Sequence, residues 1–189
     1  MSLRITAGEK RRTLLASPPS LATRPTGSRV RESLFMILGE SVRHAHVLDA
    51  FAGTGVLGLE ALSRGARKLV LIESAHSACT ATRENIARLG YGDRARLIRR
   101  DAVRALNQPP PPEAPFHVLL FDPPYAQNLA WHALERLARH ADQWVRPDGV
   151  IVFQLGRQDP LPPEAGPLVR DQQRDYRETR LDFYRMGAW

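Results

Sequence analysis

Between residues 46 and 154 the chain alternates short apolar runs with longer segments whose apolar residues recur at helical spacing. Strand-length runs stand at 46–50, 68–72, 95–98, 118–121 and 150–154. Helical spacing fills the gaps at 56–64, 75–89, 102–107 and 129–140. Leu57, Leu59 and Leu62 make one apolar face, and Leu129, Ala133, Leu134 and Leu137 another. Parallel neighbouring strands need a crossover between them, and a helix is the usual one. The pattern therefore predicts an α/β fold, a Rossmann-like, mostly parallel, doubly wound sheet. Residues 168–176 and 179–186 break the rhythm. With a tight turn near Arg177-Glu178 they predict an antiparallel hairpin at the end of the sheet.

The first quarter of the chain follows a different pattern. Residues 3–7 and 13–16 read as two short strands around Gly8-Glu9-Lys10. Residues 17–27, with Pro18, Pro19, Pro25 and Gly27, read as a loop, and Val30, Leu34, Ile37 and Leu38 define a helix face. The expected organisation is a basic extension over 1–45, bound to RNA and packed on the core, and a catalytic domain over 46–189.

Charge gives that extension a meaning. The chain carries 27 Lys+Arg against 20 Asp+Glu, a net +7, and residues 1–45 alone hold +5 of it. A basic segment of this kind favours a polyanion, because each phosphate contact releases counterions. Only Lys10 and Lys68 are lysines, so part of the excess follows from arginine usage alone. Hydrophobic residues at 43% and charged residues at 25% exclude a disordered chain. No run approaches the ~18 apolar residues of a membrane span. The start shows no signal-peptide pattern, and the single cysteine, Cys79, excludes an internal disulfide or a cysteine zinc cluster. A cytoplasmic, monomeric protein is the expectation. The six histidines lack metal-ligand spacing, so no metal is expected. Residues 108–115, rich in proline, read as a stiff surface loop.

Two motifs carry the chemistry. The first strand runs into Asp49-Ala50-Phe51-Ala52-Gly53-Thr54-Gly55-Val56-Leu57-Gly58, a G-x-G-x-x-G pattern between a strand and a helix. Glycines there permit a tight turn and close approach of a nucleotide cofactor, and the helix N–H groups attract an anion. Glu73 ends the next strand, placed to accept from ribose hydroxyls. NAD fits these features alone. Asp49 argues against it, since a carboxylate beside the loop repels a pyrophosphate and suits an ammonium group. S-adenosylmethionine has that ammonium, a ribose and no phosphate. Asp101-Ala102 follows the third strand, where the carboxylate can accept from an adenine amine or cap the next helix.

The second motif, Asp122-Pro123-Pro124-Tyr125, ends the apolar run 118–121. Ligands of open α/β sheets lie beyond the carboxyl ends of the strands, so it faces the same crevice as the glycine loop. Paired prolines are stiff and lack N–H groups, leaving only acceptors. Asp122 and the Pro123 carbonyl can hold an exocyclic amine while Tyr125 stacks on the base. Fixed acceptors favour the geometry in which a conjugated amine attacks a sulfonium methyl.

This tetrapeptide resembles the catalytic motif of amino-group methyltransferases acting on nucleic acids. The chain is more closely similar to the RsmD family of 16S rRNA guanine-N2 methyltransferases. The resemblance rests on Arg4-Ile5-Thr6-Ala7-Gly8, Arg24-Pro25-Thr26, Arg29-Val30-Arg31-Glu32-Ser33-Leu34-Phe35, Leu48 to Gly55, and Gly58-Leu59-Glu60-Ala61-Leu62-Ser63-Arg64-Gly65. It implies S-adenosylmethionine as donor, held by Asp49, Phe51, Gly53, Thr54, Gly55, Glu73, Asp101 and Ala102. It implies catalysis by Asp122, Pro123, Pro124 and Tyr125. Arg11, Arg12, Arg24, Arg29 and Arg31 are the expected grip on 16S rRNA or the small ribosomal subunit. The competing readings are an adenine-N6 or protein-glutamine methyltransferase, an NAD-dependent oxidoreductase, and a catalytically silent RNA-binding protein.

Overall fold

The computed structural model describes residues 3–18, 28–124 and 128–187. Eight strands form one sheet in the order β3-β2-β1-β4-β5-β8-β7-β6. The parallel half comprises β1 (His46–Ala50), β2 (Lys68–Glu73), β3 (Ala95–Arg99), β4 (Phe116–Phe121) and β5 (Val145–Gly156). The antiparallel half comprises β8 (Thr179–Met186), β7 (Leu168–Asp175) and the two-residue β6 (Glu164–Ala165). Strand order reverses direction at β1, so β1 and β4 flank the switch point where ligands of such sheets sit.

The crossovers are α2 (Val56–Ser63), α3 (His76–Leu89), α4 (Ala102–Ala105), and α5 (Leu129–Arg139) followed by α6 (Ala141–Trp144); α1 (Ser28–Leu38) precedes β1. Two cores result. On one face Leu34 and Phe35 of α1 and Leu57, Leu59 and Leu62 of α2 pack on Val47, Leu120 and Val152. On the other, Leu134 and Leu137 of α5 and Trp144 pack on Leu48, Phe121 and Phe153. Strand side chains alternate faces, so odd and even positions of one strand serve different layers.

Most element boundaries agree with the hydrophobic pattern, and the exceptions have physical causes. β5 begins at Val145, ahead of the apolar run, because Arg146, Pro147 and Asp148 interrupt it at a register shift against β4. The two N-terminal segments expected as strands do pair, through a bridge between Arg4 and Leu14. Backbone hydrogen bonds run from Ile5 N–H to Thr13, Arg12 N–H to Ile5 and Leu15 N–H to Leu3, a hairpin too short to form a ladder. Tertiary contact holds it to the core. Ile5 and Leu15 enter the α2-side core, and Glu9 N–H donates to the Ser63 carbonyl at 2.8 Å. Gly8 (φ 83°) lies so close that a Cβ would stand 1.9 Å from the Ser63 oxygen. The N-terminal extension and the sheet thus share one core. No helix among the described residues is long and apolar enough to cross a membrane.

Candidate active site

The loop between β1 and α2 is a left-handed turn. Phe51 (φ 64°), Gly53 (φ 56°) and Gly55 (φ 78°) all have positive φ. The loop is braced from several sides. Gly53 N–H donates to Glu73 Oε2 at 2.8 Å, and the Thr82 hydroxyl donates to the Gly53 carbonyl at 2.8 Å. Asn85 Nδ2 donates to the Thr54 carbonyl at 3.0 Å. Glu73 also accepts from Ala75 N–H at 2.7 Å, which sets its carboxylate at the carboxyl end of β2. Space above Gly53 is open, since no heavy atom lies within 4 Å of a built Cβ.

Gly58 brings α2 against β1. A Cβ there would meet Leu69 at 2.6 Å and the Asp49 side chain at 3.0 Å, while Gly58 N–H donates to Asp49 Oδ2 at 2.8 Å. Asp49 is fully buried, and its carboxyl is pushed up to about 7. Burial is the main cause, partly offset by the Gly58 hydrogen bond, with Asp122 and Glu73 adding repulsion. Three acidic groups around one loop disfavour a polyphosphate and favour a cationic ligand. Such an acidic set fits the cationic donor S-adenosylmethionine, which Asp49 and Glu73 could hold. At the end of β3, Asp101 Oδ1 caps α4 by accepting from Arg104 N–H at 2.8 Å, and Ala102 is buried behind it.

Asp122 and Pro123 follow β4 directly. Val118 and Leu120 face the α2 side, Leu119 and Phe121 the α5 side. Alternation therefore sends Asp122 to the α2 side, where Asp49 also points. Gln154 on β5 reaches it there: its Nε2 donates to Asp122 Oδ1 at 3.0 Å, and Gln154 is buried. Pro123 is buried and Pro124 exposed. Asp122 thus stands on the same face as the donor loop, with its carboxylate oriented by a neutral amide.

The predicted site residues are distributed unevenly. Asp49, Phe51, Gly53, Thr54, Gly55, Glu73, Asp101, Ala102, Asp122, Pro123 and Pro124 gather at the carboxyl edge of the parallel strands. Tyr125 and Arg24 lie outside the described residues. Arg31 requires a correction as an RNA contact: it is 2% exposed, with Nε 2.9 Å from Glu60 Oε2 and Nη2 donating to the Arg4 carbonyl at 2.7 Å. Arg11 and Arg12 are exposed, but their turn is tied to Ser63, at the end of α2 remote from the donor loop. That places them at the amino edge of the sheet, opposite the crevice. Arg29 is exposed on the first turn of α1, a helix tied through Ser33 to Tyr176 beside the tip of the β7–β8 hairpin. The tip lies at the crevice edge, since Thr179 pairs with Gly156 at the end of β5. Sequence reasoning missed Gln154, Thr82 and Asn85. Asn85 left a signal, an amide on the buried face of an otherwise amphipathic helix.

The parallel sheet with its terminal antiparallel hairpin, the left-handed glycine loop and the strand-end acids define a class I S-adenosylmethionine-dependent methyltransferase. A family model described as "Conserved hypothetical protein 95" matches residues 3–185. Ribosomal RNA small subunit methyltransferase D of Haemophilus influenzae is 34% identical over 90% of this chain and 88% of its own. The Escherichia coli protein of that name is 34% identical over 85% of this chain and 78% of its own. The solved structure of yhhF from Escherichia coli superposes with a TM-score of 0.86 at 30% identity, covering 100% of both chains. The chain belongs to this family, the RsmD methyltransferases.

Proposed function

We propose that this methyltransferase transfers one methyl group to the exocyclic N2 of a guanine in 16S rRNA, free or within the small ribosomal subunit. The observation that carries the reading is Asp122, oriented by Gln154 on the sheet face that also holds Asp49 and the glycine loop. When bound, S-adenosylmethionine supplies an electrophilic methyl on a sulfonium. Asp49 and Glu73 hold the cationic and ribose ends of that donor. Asp122 and the Pro123 carbonyl accept from the two N–H bonds of the guanine amine and orient its lone pair. Tyr125 is the expected stacking partner of the extruded base. The amine forms one N–C bond as the donor's S–C bond breaks, and it loses one proton, which Asp122 accepts. The naming of the Haemophilus influenzae and Escherichia coli relatives as small-subunit rRNA methyltransferases supports the substrate class. A cytoplasmic monomer of 21.2 kDa is part of the proposal.

The test uses methyl-labelled donor and small subunits lacking the modification, followed by nucleoside analysis. Labelled N2-methylguanosine is the expected product, and light scattering of the purified protein alone is expected to read one chain. N6-methyladenosine alone would reject the assigned atom while keeping the fold and donor. Asp122→Ala is expected to lower kcat at least 100-fold with donor affinity retained. Unchanged turnover would reject the role of Asp122.

A further inference from the structure

Beside the proline pair, on the other face of the sheet from Asp122, lies a cavity of about 110 Å³. Its apolar lining comes from Pro123, Pro124, Leu155, Leu161 and Trp131, and Asn128, Gln158 and Asp159 give it a polar share of similar size. No residue of the donor loop contributes to it. Leu155 shares the α5 side with Phe153 and Phe121. Asp122 and Gln154 belong to the α2 side by alternation. The cavity and the acceptor carboxylate are therefore separated by the stiff proline backbone itself.

The wall of the cavity is built at some energetic cost. Asp182 on β8 is fully buried between Arg170 and Arg180, at 3.1 and 3.0 Å. Those arginines do more than neutralise it. Arg170 Nη1 donates to the Leu161 carbonyl at 3.1 Å and Arg180 Nη2 to the Asp159 carbonyl at 3.2 Å. Tyr184 Oη donates to the Pro162 carbonyl at 2.6 Å, completing a clamp on the segment 159–162. A desolvated charge cluster is expensive, and loops of this length are ordinarily left to solvent. Here the cluster holds one side of an open cavity, while α5 holds the other. Trp131 is 41% exposed at its border, the one tryptophan among the exposed large apolar residues described.

We propose that this cavity receives the nucleobase next to the target in the RNA, stacked on Trp131. The inference rests on the RNA reading above. Its volume and mixed walls, apolar at the prolines, leucines and Trp131 and polar at Asn128, Gln158 and Asp159, suit a flat heterocycle with hydrogen-bonding edges. Exposed aromatic rings serve as stacking platforms for single-stranded bases. The rigid proline pair then separates two consecutive bases: the target on the Asp122 side, its neighbour on the Trp131 side. Occupation of both sides sets the position of the target along the strand, a form of selection that needs no base pairing.

The experiment titrates the protein with a synthetic 16S rRNA fragment containing the methylated guanine, and with copies abasic at the nucleotide immediately 5′ or 3′. Affinity and tryptophan emission are read together. One abasic copy is expected to bind about tenfold more weakly and to lose the quenching of emission. Trp131→Ala is expected to show the same loss on intact RNA with no further loss on that abasic copy. Trp131→Phe should restore most of the affinity. Equal affinity for all three RNAs, or additive losses in Trp131→Ala, would overturn the proposal. Its fate is separable from that of the reaction. Methylation without Trp131 dependence rejects the cavity alone, whereas Trp131-dependent binding without N2-methylguanosine rejects the assigned reaction alone.

Discussion

Two carboxylates are fully buried on the α2 side of the sheet, and they are treated in opposite ways. Glu60 meets Arg31 at 2.9 Å, Arg64 at 2.9 Å, and both the backbone N–H and the hydroxyl of Thr6. Asp49 receives the Gly58 N–H and otherwise faces the repulsion of Asp122 and Glu73. Burial is common to both, so burial does not identify the functional one. The difference lies in the charge left to be balanced. Glu60 is neutralised from within the chain and locks the N-terminal extension onto α2. Asp49 has no ion pair among the described residues, and in the proposed reading the ammonium of the donor supplies one.

The largest effect should come from breaking the balanced side. Arg31→Ala removes one partner of a buried pair and is expected to destabilise the fold by about 3–5 kcal/mol, read by urea denaturation. A loss below 1 kcal/mol would mean that Arg64 and Thr6 suffice. The unbalanced side should respond in the reverse sense. Asp49→Asn removes a carboxyl that costs energy to ionise, so stability at pH 8 should rise, by at most about 4 kcal/mol, while donor affinity falls at least tenfold by calorimetry.

The pH dependence sharpens the contrast. The Asp49 carboxyl is raised from 3.8 to about 7 in the folded chain. Between those values the folded state holds a proton that the unfolded state has lost, so this group lowers stability as pH rises and its cost is complete above pH 7. The stabilisation by Asp49→Asn should therefore vanish near pH 4. Donor binding runs the other way, because a cation favours the ionised carboxylate. Affinity should fall as pH drops below 7 in the natural chain and stay level in Asp49→Asn. The smallest effect expected concerns the surface arginines. Arg29→Ala should weaken RNA binding a few-fold and reduce the salt slope by about one. The pair Arg11→Ala and Arg12→Ala, at the remote edge, should leave both unchanged.

The parts legible in the sequence share a reason: they are local. Asp122-Pro123-Pro124 and the glycine loop are contiguous segments whose turn chemistry and strand-end position follow from neighbours along the chain. Arg31 was misread because net charge says nothing about burial, and Glu60, its partner, sits 29 positions away in a helix whose apolar face looks complete without it. Gln154 escaped notice because its meaning depends on β5 lying beside β4, a pairing that joins segments 32 residues apart. The cavity wall is less visible still. It needs β7, β8 and the segment 159–162 together, and Asp182, one acid in a hairpin of many charges, has no contact with water.

The two ends of the sheet bear on how this protein behaves at high concentration. A free strand edge is a template for the next molecule, and parallel sheets that fold slowly expose theirs for longest. At one end stands β3, five residues that include Arg96 and Arg99, both exposed, with exposed Arg100 just beyond. At the other, β6 pairs only with Leu168 and Val169 of β7, so the margin continues along β7 itself, where Arg170, Asp171, Arg174 and Asp175 flank two glutamines. One margin carries charge of a single sign and the other is polar and charged throughout. Growth of fibrils by edge addition is thereby discouraged at both margins, by like charge at the first and by hydrophilic side chains at the second.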